Sequence, residues 1–290
     1  MNEAVTGSRR TFLRRAGTAA LAVGATALGA GTAAANAAGG HGGRHLPPSK
    51  IGMQLYSLRE AMSESVERTL AFLARTGYSE VEFAGLHGCS PERASDLLRE
   101  LGLRAPSSHD DLPAEKDRLE QLFGRARTLG QRWVVLPYFA ASDLPAYHRL
   151  AERLNRAGEI AREHGIRVGY HNHAHEFDTI DGRRPYDVLL DETDRRLVDF
   201  ELDLYWVVKA GVDPLDLFER APRRFPLGHV KDMSADGSFA DPGEGVIDFG
   251  RVFDANGRSG LRHFVVERDD QPHPRETAER GYHYLRRLRF

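Results

Sequence analysis

The feature that most restricts this chain is an alternation repeated along it after residue 50: a short apolar or β-branched run, then a longer stretch of helical periodicity. The runs occupy residues 51–57, 80–84, 104–108, 133–138, 167–171, 199–204, 227–231 and 264–267. The helical stretches fall at 63–75, 91–101, 114–129, 144–164, 186–192, 214–221, 249–256 and 274–288, with Ser63, Ser90 before Pro91 and Asp213 before Pro214 as expected caps. A strand followed by a covering helix returns the chain to the same sheet edge, so repeated βα units imply parallel strands. Eight such units in about 240 residues predict a single-domain α/β fold, the (β/α)8 or TIM barrel, over 51–290. The competing arrangement, an open doubly wound sheet, would place a Gly-rich phosphate turn after the first strand. Gln54-Leu55-Tyr56-Ser57-Leu58-Arg59 has no glycine there.

The sequence of 290 residues has 41% hydrophobic residues, enough for a sizeable core, and its 40 Lys+Arg against 42 Asp+Glu give a net charge of -2. No field of either sign favours nucleic acid or an anionic membrane, so a small, weakly charged or neutral ligand is expected. Cys89 is the single cysteine, which excludes a disulfide framework and any multi-cysteine metal site. Homo-oligomerisation is left open.

The first residues read differently. Arg9, Arg10, Arg14 and Arg15 precede an uncharged Ala/Gly-rich run, and Ser8-Arg9-Arg10-Thr11-Phe12-Leu13 resembles a twin-arginine export signal. Residues 1–37 are therefore expected to be a signal peptide with a small-residue cleavage site at Ala35-Asn36-Ala37, and residues 38–50 a linker. The expected location is periplasmic or extracellular, without a stable membrane anchor.

In a barrel, reactive groups sit at the C-terminal strand ends. The third run ends in Ser107-Ser108-His109 and the fifth in Tyr170-His171-Asn172-His173-Ala174-His175-Glu176-Phe177. The sixth carries Glu201-Leu202-Asp203-Leu204-Tyr205-Trp206, the seventh His229-Val230-Lys231-Asp232, and the eighth Val265-Val266-Glu267-Arg268-Asp269. Histidines with carboxylates form a mixed nitrogen and oxygen donor set that suits one divalent ion, Mn2+, Zn2+, Co2+ or Mg2+. Glu267, after an apolar run, needs a cation or a donor network to account for it. For each residue a plainer role exists: His173 or His175 in a solvated loop, Asp203 capping a helix, Lys231 paired with Asp232, Glu267 paired with Arg268.

Together with Ile51-Gly52-Met53-Gln54-Leu55-Tyr56-Ser57 and Gly243-Glu244-Gly245, these motifs resemble the sugar phosphate isomerase/epimerase group of the xylose isomerase-like barrels. The resemblance implies metal ligands Asp203, His229 and Glu267, with Glu176 as the fourth and His171 or His173 as competitors for that place. It implies proton abstraction next to a carbonyl through a metal-stabilised enediolate, with Glu176, Glu267, His171 and Lys231 as catalytic groups. His109, His173, Trp206, Tyr56 and Gln54 would bind a sugar or glycoside. Related barrels dehydrate inososes or act on 3-keto-glycosides with the same enolate. A metal-dependent phosphodiesterase and a non-catalytic carbohydrate-binding protein are the readings from other classes.

Overall fold

The computed structural model describes residues 43–290. The expected signal peptide and residues 38–42 lie outside the described residues. The barrel strands β1 (Ile51–Gln54), β2 (Glu80–Phe83), β3 (Arg104–His109), β4 (Trp133–Leu136), β5 (Arg167–His171), β6 (Val198–Asp203) and β7 (Leu227–Val230) come first. Next is a small antiparallel pair, β8 (Asp232–Met233) and β9 (Phe239–Ala240), and then the last barrel strand, β10 (His263–Val266). The eight long strands close in the order β1-β10-β7-β6-β5-β4-β3-β2, every neighbouring pair parallel. This is the TIM barrel that the alternation predicts.

Side chains on a strand alternate between its two faces. On β2, Val81 and Phe83 alternate with Glu80 and Glu82; on β6, Val198, Phe200 and Leu202 alternate with Asp199, Glu201 and Asp203. The apolar members join the one large cluster that packs strands against helices. The polar members turn into the barrel, where Trp133, Val135 and Leu227 form a separate small apolar belt. Space there is tight: a Cβ on Gly169 would meet Val135 Cγ2 at 2.8 Å. Ionisable groups thus occupy both ends of the interior, with the belt between them.

Where boundaries differ from expectation, local hydrogen bonds explain it. β1 stops at Gln54 because its side-chain oxygen accepts from Tyr56 N and starts a 3-10 turn, Leu55–Leu58. The helix expected at 63–75 is two helices, Arg59–Glu64 and Val66–Thr76, separated by an extended Ser65 whose hydroxyl caps the second. Ser63, the expected cap, instead donates to the Arg59 carbonyl. Ser90 and Asp213 cap as expected. Part of the expected linker is built into the fold: Leu46 is buried, and Arg44 exchanges backbone hydrogen bonds with Phe290. Among the described residues no helix is long and apolar enough to cross a membrane.

Candidate metal centre and active site

Four side chains meet where β5, β6, β7 and β10 end. One donor atom each from His171, Asp203, His229 and Glu267 lies within 4.8 Å of the others, and all four residues are buried. Asp203 ends β6 by capping the next helix: its Oδ1 accepts from Trp206 N at 3.0 Å, which leaves Oδ2 directed into the site. The capping role and the site role therefore fall on different oxygens of one carboxylate.

The imidazoles indicate what the site is made for. His171 Nδ1 lies 3.1 Å from the Pro137 carbonyl oxygen, which only accepts, so Nδ1 carries the proton. Burial lowers the His171 pKa against the opposing pull of Asp203, and its Nε2 lies 3.2 Å from Asp203 Oδ2. Burial works against ionisation of Asp203 too, yet the Lys231 ammonium and His171 bring it down to about 2. A buried imidazole nitrogen and an anionic oxygen converge there, a pair of donor atoms that a shared cation would suit. His229 has a carboxylate on each ring nitrogen, Nε2 2.8 Å from Glu82 Oε1 and Nδ1 2.8 Å from Glu267 Oε2; burial works against its charge, but Glu201 and Glu267 outweigh it and raise its pKa well above the usual histidine value. Metal-binding histidines characteristically satisfy the second nitrogen on a carbonyl or carboxylate.

The charges agree. Lys231 Nζ, 1% exposed, lies 2.8 Å from Asp203 Oδ2, 2.7 Å from Glu267 Oε2 and 3.1 Å from Asp269 Oδ1. One ammonium against three carboxylates leaves an excess of negative charge, which a protonated His229 offsets in the metal-free protein and a divalent cation would offset in its place. The residues present fit such an ion. Burial opposes the ammonium, but Asp203, Asp269 and Glu267 outweigh it and raise the Lys231 pKa well above the usual lysine value. Lys231 is thus held as an ammonium, a hydrogen-bond donor and fixed charge and not a base, and Asp232 is not its partner. Asp232 instead accepts from the backbone N–H groups of Gly243, Gly245 and Ile247. A Cβ on Gly245 would sit 2.2 Å from Asp232 Oδ1, which accounts for the glycine in the Gly243-Glu244-Gly245 motif.

A second layer lies beneath, built on Glu82 and Glu201. His109 Nε2 contacts Glu201 Oε2 at 2.6 Å, Gln54 Nε2 donates to Glu82 Oε1 at 2.6 Å, and Ser107 donates to Glu82 Oε2. Burial, with the Glu201 charge, raises the Glu82 pKa. For Glu201, burial is outweighed by His229 and His109, and its pKa falls well below the usual value. Neither residue is among the site residues expected from the sequence. The signal for Glu82 was present: two glutamates alternate with Val81 and Phe83 in a run too apolar to be surface.

The other expected residues divide. Glu176 is buried but stands outside the four-donor group: its carboxylate accepts from Tyr170 Oη at 2.6 Å and from His173 N at 2.8 Å, and His171 takes the fifth-strand place. Burial, opposed by His175 and Tyr170, raises its pKa. Gln54 is fully buried and committed to Glu82 and Tyr56, so it is not offered to substrate. One face of the Tyr56 ring carries the Arg59 guanidinium, 4.4 Å from its centroid. His173 and Trp206 pack together with ring centroids 5.2 Å apart, and His173 Nδ1 and Trp206 Nε1 are buried without a hydrogen-bond partner. Burial, with the nearby His171 and Lys231, holds His173 well below the usual histidine pKa and hence neutral. Two orphaned polar atoms beside a charged centre are exceptions to the rule that buried polar groups are paired. Asp269, missed from the sequence, has a side chain 27% exposed, and burial, opposed by Lys231, pushes its pKa up to about 6.

Residues 70–288 match the family model described as xylose isomerase-like TIM barrel, and the chain belongs to that family. Among curated proteins it is similar to the inosose dehydratase of Geobacillus thermodenitrificans, 31% identical over 159 residues, which are 47% of this chain and 53% of that protein. The inosose dehydratase of Lacticaseibacillus casei is 31% identical over 171 residues, 51% of this chain and 56% of that protein. The chain spans about half the length of these curated relatives. A sugar phosphate isomerase/epimerase structure from Parabacteroides distasonis superposes with a TM-score of 0.70 at 27% identity, over 82% of this chain and 94% of the other.

Proposed function

We propose that this protein is a divalent-metal-dependent enzyme that removes a proton next to the carbonyl of a sugar or sugar-like polyol and returns it, as an isomerase or epimerase. The observation that carries the proposal is the convergence of His171 Nε2 and Asp203 Oδ2 with His229 Nδ1 and Glu267 Oε2, each imidazole having its other nitrogen on an outside acceptor. His171, Asp203, His229 and Glu267 would hold the ion. When bound, a divalent ion there supplies Lewis acidity, making an oxygen next to the reacting carbon better able to carry negative charge. Lys231 donates a hydrogen bond to that oxygen and adds a fixed positive charge in a water-poor setting. Glu267 Oε1, which has no hydrogen-bond partner among the described residues, takes the proton from carbon. His173 Nδ1 and Trp206 Nε1 orient the hydroxyls, and the Trp206 ring offers an apolar face.

Elimination is the second reading: expulsion of a β-hydroxyl or glycosyl oxygen from the same enolate. It is favoured by the similarity to two inosose dehydratases. Metal analysis of the purified protein, followed by incubation in D2O with keto-sugars, inososes and 3-keto-glycosides, tests both. Deuterium in recovered or epimerised substrate supports the first reading, and an unsaturated product supports the second. Neither outcome with any of Mn2+, Co2+, Zn2+ or Mg2+ would refute the proposal.

We also propose export by the twin-arginine route, on the Arg9-Arg10 motif and the Ala/Gly-rich run behind it. Replacing both arginines with lysine should keep a tagged protein in the cytoplasm; unchanged export would refute this.

A further inference from the structure

We infer that Glu82 is the positioning residue of the metal centre: it accepts the Nε2–H of His229 and so leaves Nδ1 as the nitrogen that faces Asp203 and Glu267. For its function this rests on the metal reading above. His229 is fully buried between carboxylates on opposite sides, Glu267 2.8 Å from Nδ1 and Glu82 2.8 Å from Nε2. An imidazole that binds a metal gives it one nitrogen and keeps an N–H on the other, so something must decide which nitrogen is free.

Glu82 is built to decide it. Gln54 donates to its Oε1 and Ser107 to its Oε2, which fixes the carboxylate from behind. Glu201, the other carboxylate near Nε2, lies farther away at 3.3 Å and is committed to His109 at 2.6 Å. Each lower carboxylate therefore makes its shortest imidazole contact with a different ring. Glu82 also stands on β2, a strand that contributes none of the four upper donors, so it braces His229 from another part of the barrel wall.

The rival use of the same atoms is a second ion held by Glu82, His109, Glu201 and His229, whose donor atoms also lie within 4.8 Å of one another. The Gln54 amide argues against it, because it donates to the very oxygen such an ion would need.

The experiment compares wild type, Glu82→Leu and Glu82→Gln by metal titration against a competing chelator and by 15N-histidine NMR of the Zn2+-loaded protein. Wild type should bind one ion per chain and show a slowly exchanging His229 Nε2–H. Glu82→Leu should weaken binding by about 10- to 100-fold and lose the slow exchange. Glu82→Gln keeps an acceptor oxygen of the same shape and should recover part of both. If Glu82→Leu does not fold, wild type against Glu82→Gln carries the same comparison, with a smaller loss expected. Unchanged affinity and a retained Nε2–H in these variants would overturn the inference and leave the metal reading intact. Two ions per wild-type chain, falling to one in Glu82→Leu, would replace it with a second metal site. No ion bound by wild type would sink the metal reading, and the inference with it.

Discussion

The two ends of the barrel interior carry the same kinds of residue on the same strands and put them to opposite uses. At the N-terminal end, Glu80 faces His263 Nδ1 at 2.6 Å, Arg104 at 3.3 Å and Lys50 at 3.8 Å. Asp199 there accepts from Trp133 Nε1 at 2.7 Å and from Arg167. Every carboxylate at that end has donors that saturate it. Two residues further along the same strands stand Glu82 and Glu201, and then Asp203, where buried carboxylates outnumber the fixed cations. Closed networks of this kind hold a structure together, whereas a group left short of positive charge is suited to binding one. The closing cations are regular: Lys50 just precedes a strand, and Arg104 and Arg167 begin theirs.

The largest expected effect breaks the symmetry directly. Asp203→Asn removes a donor from the four-atom group and should abolish stoichiometric metal binding, with kcat/KM falling by roughly 1,000-fold. Chelation of the wild type should do the same, reversibly on adding a divalent ion. Asp199→Ala, two repeats of the pleat below on the same strand, strands Arg167 and Trp133 without their acceptor. It should cost about 1–3 kcal/mol in urea denaturation while metal content and kcat stay unchanged. A loss of metal in Asp199→Ala, or normal metal and activity in Asp203→Asn, would erase the distinction between the ends.

How much of this was readable beforehand follows from the same geometry. The barrel was legible because its period-2 runs and helical stretches are local patterns. Asp203, His229 and Glu267 were legible as chemistry-bearing residues at strand ends. Glu176 was misplaced because sequence gives its distance along the chain from β5 but not the turn at His175–Phe177, which directs its carboxylate to Tyr170. Gln54 read as a substrate-binding group because its burial beneath the centre depends on Glu82, a contact between strands. Glu82 and Glu201 were not picked out, because their use depends on partners from β3 and β7 far away in sequence.

A second way to sharpen the comparison is through the ammonium. Lys231→Met leaves Asp203, Glu267 and Asp269 without their fixed cation in a buried setting, which should destabilise the metal-free protein by about 3–5 kcal/mol. A bound divalent ion should return part of that loss. Thermal denaturation with and without metal measures both, and the metal-induced rise in Tm should exceed that of wild type. Equal rises in the two proteins would show that the ammonium and the ion do not answer to the same carboxylates.

The smallest effect concerns the substrate side. Trp206 Nε1 is buried without a partner, and its ring packs on His173 and lies 5.6 Å from the Lys231 ammonium. Trp206→Phe keeps an aromatic face but deletes the N–H, so it separates hydrogen bonding from packing. One neutral hydrogen bond made equally in ground and transition states is worth about 1 kcal/mol, which predicts a KM raised about fivefold with kcat little changed. A fall in kcat at constant KM would place the indole on the reacting atoms. No change in either would mean that its N–H meets no substrate hydroxyl, and that recognition at this end of the barrel rests on His173 and the charged centre alone.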